Sequence, residues 1–312
     1  MSVCVVLMVK SKARMWWLLL LVFRLVPFVL LVPLQSWGMA VNYIPEAMFL
    51  ELELGDNCTL MTGAVGDDHP GCTVIGSNNT IGYHAVIGVK CQDMKYKPED
   101  ECYLEVGHNN DIREHSSIHR SSKSTDRTVI GNANFIMGSC HITHDCKIGN
   151  NNILANNTLL AGHVEVEDYV HTAGVTVVHQ FCHLGSFSFL GGGSVVGVQL
   201  HFHVLTQMKV SQDVPKYMMA AGERAEFRGL NLVGLTRCGF SVAEIRSMRA
   251  AYRKIFMCVD ANAVSLEERL AEVEQHEELV HVPAMRAMLQ SIRNSFAENR
   301  RGICKFRHWN AS

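Results

Sequence analysis

Between Ile130 and Val196 an apolar side chain returns at every sixth position. Read in steps of six, these are Ile130, Ile136, Ile142, Ile148, Leu154, Leu160, Val166, Thr172, Val178, Leu184, Leu190 and Val196, eleven of the twelve being aliphatic. Fifth positions are mostly small or β-branched (Cys140, Cys146, Thr158, Val164, Val170, Thr176, Cys182, Ser188, Ser194), and Gly or Ala recurs at the second (Gly131, Gly149, Ala155, Ala161, Ala173, Gly185, Gly191). A sustained period of six belongs to a parallel β-helix. An amphipathic helix would place apolar residues at i, i+3, i+4 and i+7, a spacing this segment does not keep.

Each hexad supplies one short strand and one corner, so three close a triangular coil with the first positions pointing inward. Hexapeptide repeats of this pattern resemble the left-handed parallel β-helix, an exception to the usual right-handed crossover. Weaker hexads start at Leu54, Ile75, Ile81 and Ile87, then at Val106, Ile112 and Ile118, so the prism is expected to begin near residue 50. The texts GHNN, GNAN and GNNN are corners rather than phosphate loops, because Gly and Asn tolerate positive φ. After the prism the period changes. Ser241 and Ser265 are plausible N-caps of two helices, Ile245, Met248 and Ile255 have helical spacing in the first, and Pro283 opens a third reaching about Ser295. The chain is divided accordingly into an apolar leader (1–46), a β-helix (47–228) with an insertion at 197–210, and a helical C-terminal domain (229–312). The basic stretch Arg300, Arg301, Lys305 and Arg307 is read as a solvated end, with a landing surface for an acidic partner as the alternative.

Composition adds little. A length of 312 residues is ordinary for two domains, and a net charge of −2 gives no reason to expect nucleic acid. The cysteine count of eleven is odd, but many fall at fifth hexad positions, where a small apolar group fits a corner, so no disulfide framework is expected. In the leader, Lys10, Lys12 and Arg14 precede an apolar run from Met15 to Leu34 that is long enough to span a bilayer yet carries Arg24, Pro27 and Pro33. It is read as a cleaved leader or a faulty gene start, with a membrane anchor as the alternative. It does not look like an amphipathic transit peptide.

The period also sorts the histidines. Residues 162 and 180 follow His144 by one and two coils, which puts His163 and His179 beside it on one edge of the prism. Coils stack at about 4.8 Å, so His144 and His179 are expected roughly 10 Å apart, too far for one zinc ion to join all three within a subunit. A neutral imidazole instead suits proton removal from a hydroxyl, an effect worth roughly 10² to 10⁴ in rate, and Asp145 is placed to orient it.

The text SCHITHDCKIGNNNILANNTLLAGHVEVEDYVHTAGVTVVHQFCHLGSF closely resembles the UDP-N-acetylglucosamine O-acyltransferases that begin lipid A synthesis. CQDMKY, IREHSSIHR, SQDVPKYMMAAGE and GLNLVGLTRCGF match further motifs of that family, and the similarity runs from about residue 51 to 307. The resemblance implies transfer of an (R)-3-hydroxyacyl group from acyl carrier protein to the glucosamine 3-hydroxyl. It implies His144 as general base and Asp145 as its orienting carboxylate. His141, His163, His179 and Gln180 match residues of the substrate groove, Asp93 and Lys95 match contacts to the nucleotide sugar, and His119, Asn231 and Arg237 match further binding positions. Gly192 matches the position that sets the end of the acyl groove. The family further implies a homotrimer with sites in the clefts between prisms, no metal, and no bound cofactor beyond the phosphopantetheine of acyl carrier protein. Plant members are expected in mitochondria.

Departures from the pattern are specific. Val233 stands where the family usually has a glutamate and Cys238 where it has a second basic residue, so weaker nucleotide binding is expected. Fourteen residues, Gly197 to Val210, separate GGGSVV from SQDVP, and His201 and His203 within them have no family counterpart. Because fourteen is not a multiple of six, this insertion is expected to be foreign to the repeat, either an extruded loop or the translation of a retained short intron. Two other classes remain open at this stage: a metal enzyme resembling γ-class carbonic anhydrase, and a non-catalytic prism acting as a scaffold.

Overall fold

The computed structural model describes residues 42–43, 52–66, 71–94, 97, 99–192, 208–222, 224–257, 264–276 and 281–306. The leader up to residue 41 and most of the predicted insertion lie outside them. The chain winds as a left-handed parallel β-helix with three faces, which among the described residues have eleven, seven and seven strands. We number the faces by their order within a coil: Phe135–Ile136 lies on the first, His141–Ile142 on the second and Lys147–Ile148 on the third. Residues eighteen apart pair in the regular part, Phe135 with Ile153 and Ile153 with His171. Ladder bonds such as His141 N–H to Thr158 O at 2.9 Å hold this register.

The first hexad positions form the core. Ile130, Ile136, Ile142, Leu154, Leu160, Val178, Leu184 and Leu190 are all buried. Each contributes roughly 1.5–3 kcal/mol relative to an exposed side chain. Thr172, the one polar member of the series, is also fully buried; its hydroxyl accepts the Ala155 N–H at 3.0 Å and shares a hydrogen bond with the Thr158 hydroxyl at 2.7 Å. Corners take left-handed backbone at one residue per turn, among them Asn57, Asn78, Asn109, Asn151 and Asn157. A second polar series, Asn79, Asn110, Asn134 and Asn152, is buried at one corner, each side chain bonding to the next coil.

In the lower coils the count of eighteen is interrupted three times, between Gly66 and Gly71 and by extruded segments at 89–102 and 119–128. Pairs across these interruptions are 21 apart, as Thr59 with Thr80, 31 apart, as Thr80 with Asp111, or 24 apart, as Asp111 with Phe135. All three interruptions lie at the edge between the second and third faces.

Two boundaries differ from expectation. Asn42–Tyr43 pairs with Thr59–Leu60, so the first face reaches back before residue 47. At the other end, Met208–Val210 pairs in register with Thr176–Val178, and Val210 is fully buried. Those three residues therefore belong to the repeat rather than to an insertion. The sequence offered Val196 for this place, but an apolar residue ends both SVV and MKV, and the period alone does not choose between them.

The first face continues past Phe189–Leu190 through Met218–Ala221, then reverses into the antiparallel strand Glu226–Leu230, and Lys305–Phe306 joins its outer side. Among the described residues four helices follow that reversal: α1 (Leu232–Arg237), α2 (Val242–Phe256), α3 (Leu266–Glu274) and α4 (Pro283–Asn294). The caps at Ser241 and Ser265 close as capping boxes with Glu244 and Glu268. α1 and the closing strands were not foreseen, being short and lacking a clear period. Among the described residues no helix is long and apolar enough to cross a membrane.

The basic stretch is not a free end. Arg300 Nε donates to the fully buried Asp213 carboxylate at 3.0 Å, and its Nη1 lies 3.6 Å from Glu165. Arg301 reaches the Ser211 carbonyl at 3.4 Å, while Arg307 lies outside the described residues. These contacts join the chain's last described strand to the top of the prism. Arg300→Gln should cost about 3 kcal/mol, because it leaves a buried carboxylate without its cation. Urea unfolding followed by circular dichroism checks this; a midpoint equal to the parent's would mean that the His183 N–H, 2.8 Å from Asp213, holds the carboxylate unaided.

Candidate active site

The corner Thr143–Asp145 carries the chain from the second face to the third, on the edge that bears the three interruptions. Asp145 sits there at φ +61°, a conformation that Asp tolerates better than most residues. His163 and Phe181 occupy the same corner position in the next two coils, at φ 60° and 62°. The period thus stacks Asp145, His163 and Phe181 in one column, and His144, Gly162 and Gln180 in the column beside it.

Asp145 is the hub of the site. His144 Nδ1 lies 2.8 Å from its Oδ2, and His163 Nε2 lies 3.5 Å from the same oxygen. Ser122 donates its hydroxyl to Oδ2 at 2.5 Å and its backbone N–H to Oδ1 at 3.0 Å. The Asp145 N–H is in turn accepted by the Thr128 hydroxyl at 2.9 Å. Burial pushes the Asp145 carboxyl up, but the donors from His144 and Ser122 outweigh it and hold the group below its ordinary value. An ionised Asp145 accepts from Nδ1–H of His144, which leaves Nε2 as the basic nitrogen.

The His144 ring has little freedom. It meets His163 edge to face with centroids 5.3 Å apart, and His163 stacks on Phe181 at 4.7 Å. In the coil above it, a Cβ on Gly162 would come within 2.5 Å of Cε1 and 2.7 Å of Nε2. Beside the ring opens a cleft of about 680 Å³, whose walls include Asp93, Lys97, Ser122, Lys123, His163 and Gln180. Two of the extruded segments supply one wall and the histidine corners supply the other.

Other predicted residues lie elsewhere. His141 and His119 form a pair on the second face, edge to face at 5.0 Å, with His141 Nδ1 at 2.6 Å from the Ser117 hydroxyl and His119 Nδ1 at 2.8 Å from the Lys90 carbonyl. Burial lowers the pKa of both and keeps them neutral. His179 turns toward the carbonyl of Gln180, at 3.4 Å. Asn231 caps α1 and donates to the Phe187 carbonyl at 2.9 Å, and Arg237 closes the same helix. Phe187 lies at the corner between the third and first faces, so a single chain does not bring Asn231 to His144. Val233 and Cys238 are exposed beside them. Gly192 is on the edge between the first and second faces, and Lys95 lies outside the described residues.

Ser122, Thr128 and Phe181 were missed by the sequence reading. The first two flank the loop 119–128, where no hexad applies, and only the column count would have placed Phe181 above His163. Among the described residues, His144, Asp145 and His163 are also the one group whose ligand atoms lie close enough to share a metal ion, within 4.8 Å of one another. The cysteines among them are all free, and burial pushes the Cys146 thiol up to about 12.

The prism of six-residue coils and its cleft fit the class of hexapeptide-repeat transferases, and residues 127–162 match the bacterial transferase hexapeptide repeat. Residues 213–304 match the second domain of UDP-N-acetylglucosamine O-acyltransferase. A mitochondrial acyl-carrier-protein–UDP-N-acetylglucosamine O-acyltransferase of Arabidopsis thaliana is 65% identical over 268 residues, 86% of this chain and 76% of the relative. The crystal structure of an Arabidopsis UDP-N-acetylglucosamine acyltransferase superposes with a TM-score of 0.77 at 65% identity, covering 84% of this chain and 86% of that one. The Bacteroides fragilis enzyme superposes with a TM-score of 0.71 at 31% identity, covering 84% and 100%. The chain belongs to the UDP-N-acetylglucosamine O-acyltransferase family.

The contact between Gly162 and His144 is testable. Gly162→Ala should push the imidazole out of place and lower turnover by roughly tenfold or more, since misplacing a reacting group by about 1 Å is that costly. Thermal unfolding should barely move. Parental turnover in the Gly162→Ala variant would show that the ring tolerates displacement.

Proposed function

We propose that this chain transfers an (R)-3-hydroxyacyl group from acyl carrier protein to the 3-hydroxyl of UDP-N-acetylglucosamine, the first step of lipid A biosynthesis, with His144 as general base. The observation that carries the role of His144 is its Nδ1 contact to buried Asp145, which directs basicity to Nε2. The carbonic anhydrase and scaffold readings lose their footing once the family is established.

The reaction needs no covalent enzyme intermediate. Nε2 of His144 takes the proton of the sugar hydroxyl as its oxygen attacks the thioester carbonyl, and Asp145 stabilises the imidazolium that forms. The tetrahedral oxyanion then collapses, the carbon–sulfur bond breaks, and the imidazolium returns its proton to the departing phosphopantetheine thiolate. The products are the 3-O-acylated nucleotide sugar and free acyl carrier protein thiol, and no resident metal takes part.

For binding, we assign Asp93, Lys95, His163 and Gln180 to the nucleotide sugar beside His144, and His119, His141 and His179 to the groove along the second face. Asn231 and Arg237 enter the site from a neighbouring copy in a homotrimer, whose clefts join edges that one prism keeps apart. The Arabidopsis relative is named as mitochondrial, and we place this protein in the same compartment.

Two measurements test the scheme. His144→Ala should lower turnover by roughly 10² or more and leave the melting temperature nearly unchanged; activity within a few-fold of the parent rejects the base. Gly192 tests acyl selection. Its φ is not left-handed, and a Cβ there would lie 3.6 Å from Ala173 Cβ, an ordinary contact, so a Cβ is accommodated without strain. Gly192→Met should shift preference from longer to shorter hydroxyacyl chains across a series of acyl carrier protein thioesters. An unchanged preference in the folded variant removes Gly192 from chain-length control.

A further inference from the structure

The catalytic carboxylate is held not only by His144 but also by a residue of an extruded loop. The corner at 119–128 lies one coil below that of His144 on the same edge, and there the chain leaves the prism for several residues before re-entering at Thr128–Ile130. Its Ser122 is buried, and it bonds Asp145 twice: hydroxyl to Oδ2 at 2.5 Å and backbone N–H to Oδ1 at 3.0 Å. Oδ2 is the oxygen that also faces His144 Nδ1 at 2.8 Å. One carboxylate oxygen therefore divides its negative charge between a fixed hydroxyl and the imidazole. The neighbouring Ser121 hydroxyl is turned elsewhere, accepting the Tyr103 N–H at 3.0 Å and donating to the Lys123 carbonyl at 2.9 Å, which pins the loop.

We propose that Ser122 is a positioning residue of the acyl transfer reaction, fixing the plane of the Asp145 carboxylate and setting how much of its charge reaches His144. The inference rests on His144 acting as the base. Without the hydroxyl, the backbone N–H still engages Oδ1, so the loop stays anchored, but Oδ2 loses the donor that competes with the imidazole. Two consequences follow. The carboxylate gains rotational freedom about its Cβ–Cγ bond, which loosens the aim of Nε2. More negative charge also faces the imidazole, so the pair holds its proton more tightly, and the acid limb of the pH–rate profile, a property of the coupled pair, moves to higher pH.

The experiment compares Ser122→Ala, Ser122→Cys and Ser122→Thr in the full chain, with UDP-N-acetylglucosamine and a hydroxyacyl-acyl carrier protein as substrates. Ala should lower kcat by roughly tenfold with KM for the nucleotide sugar within twofold, and raise the pH of the acid limb of kcat/KM. Cys, similar in size but a weak donor, should behave like Ala. Thr, which keeps the hydroxyl, should restore both kcat and the acid limb. A merely structural serine would lower the melting temperature and leave the pH profile in place. Parental kcat and an unmoved acid limb in the Ala variant would overturn the proposal, and so would a loss that Thr fails to restore. If Ala does not fold, Cys and Thr decide the matter by the same two readouts. His144→Ala measured in parallel separates the failures. An active His144→Ala enzyme sinks the assignment of the base, whereas an inactive one beside an unaffected Ser122→Ala sinks the role of Ser122 alone.

Discussion

The parallel ladder between successive coils is the constraint from which the rest of this molecule follows. Most strands contribute only two or three residues, too few to be stable alone, yet in the regular part each hydrogen-bonds to the coils above and below at a step of eighteen. That step turns a linear sequence into columns. Apolar side chains fall into the interior column, left-handed residues into the corners, and Asp145, His163 and Phe181 into a single file on one edge. The site needs no special loop to bring His163 to Asp145, because stacking alone sets them 3.5 Å apart. What the ladder does not supply, the extruded segments do: Ser122 for the carboxylate, Asp93 and Lys97 for the opposite wall of the cleft.

The same division explains what could be read from the residues alone. The hexads from Ile130 onward revealed the prism and the histidine edge, since a period repeated many times is hard to imitate by chance. The helix caps at Ser241 and Ser265 were legible because a capping box is local chemistry. Ser122 was not legible, for its value lies in meeting a residue 23 positions later, and no local pattern marks that pairing. Arg300 was read as solvated for a similar reason: its partner Asp213 is 87 positions away. The strand Met208–Val210 shows a subtler failure, in which a correct period met two equivalent apolar candidates separated by fourteen residues.

Polar groups inside the prism show how the ladder accommodates exceptions. Asn79, Asn110, Asn134 and Asn152 replace apolar contacts at one corner with a chain of amide hydrogen bonds, each passing to the coil above. Thr172 does the same in the core through Thr158. Buried hydrogen-bonding groups that lack partners would each cost about 1–3 kcal/mol, so these residues keep their stacking register under penalty. A slip of one coil would leave several of them unpaired at once. The polar series therefore fixes which coil sits on which, a choice that uniform apolar contacts leave open.

A stack of parallel strands has a raw rim, a row of backbone groups ready to accept another strand from any chain. Here the rim of the first face is turned back on itself: Glu226–Leu230 runs opposite to Met218–Ala221, and Lys305–Phe306 covers its outer side. The direction of the ladder reverses at that point, so a second prism approaching the first face meets a strand of the wrong polarity instead of a continuation of the coil. The closing hairpin thus works as a terminator, limiting the solenoid to a finite object and guarding this face against end-to-end growth into fibres.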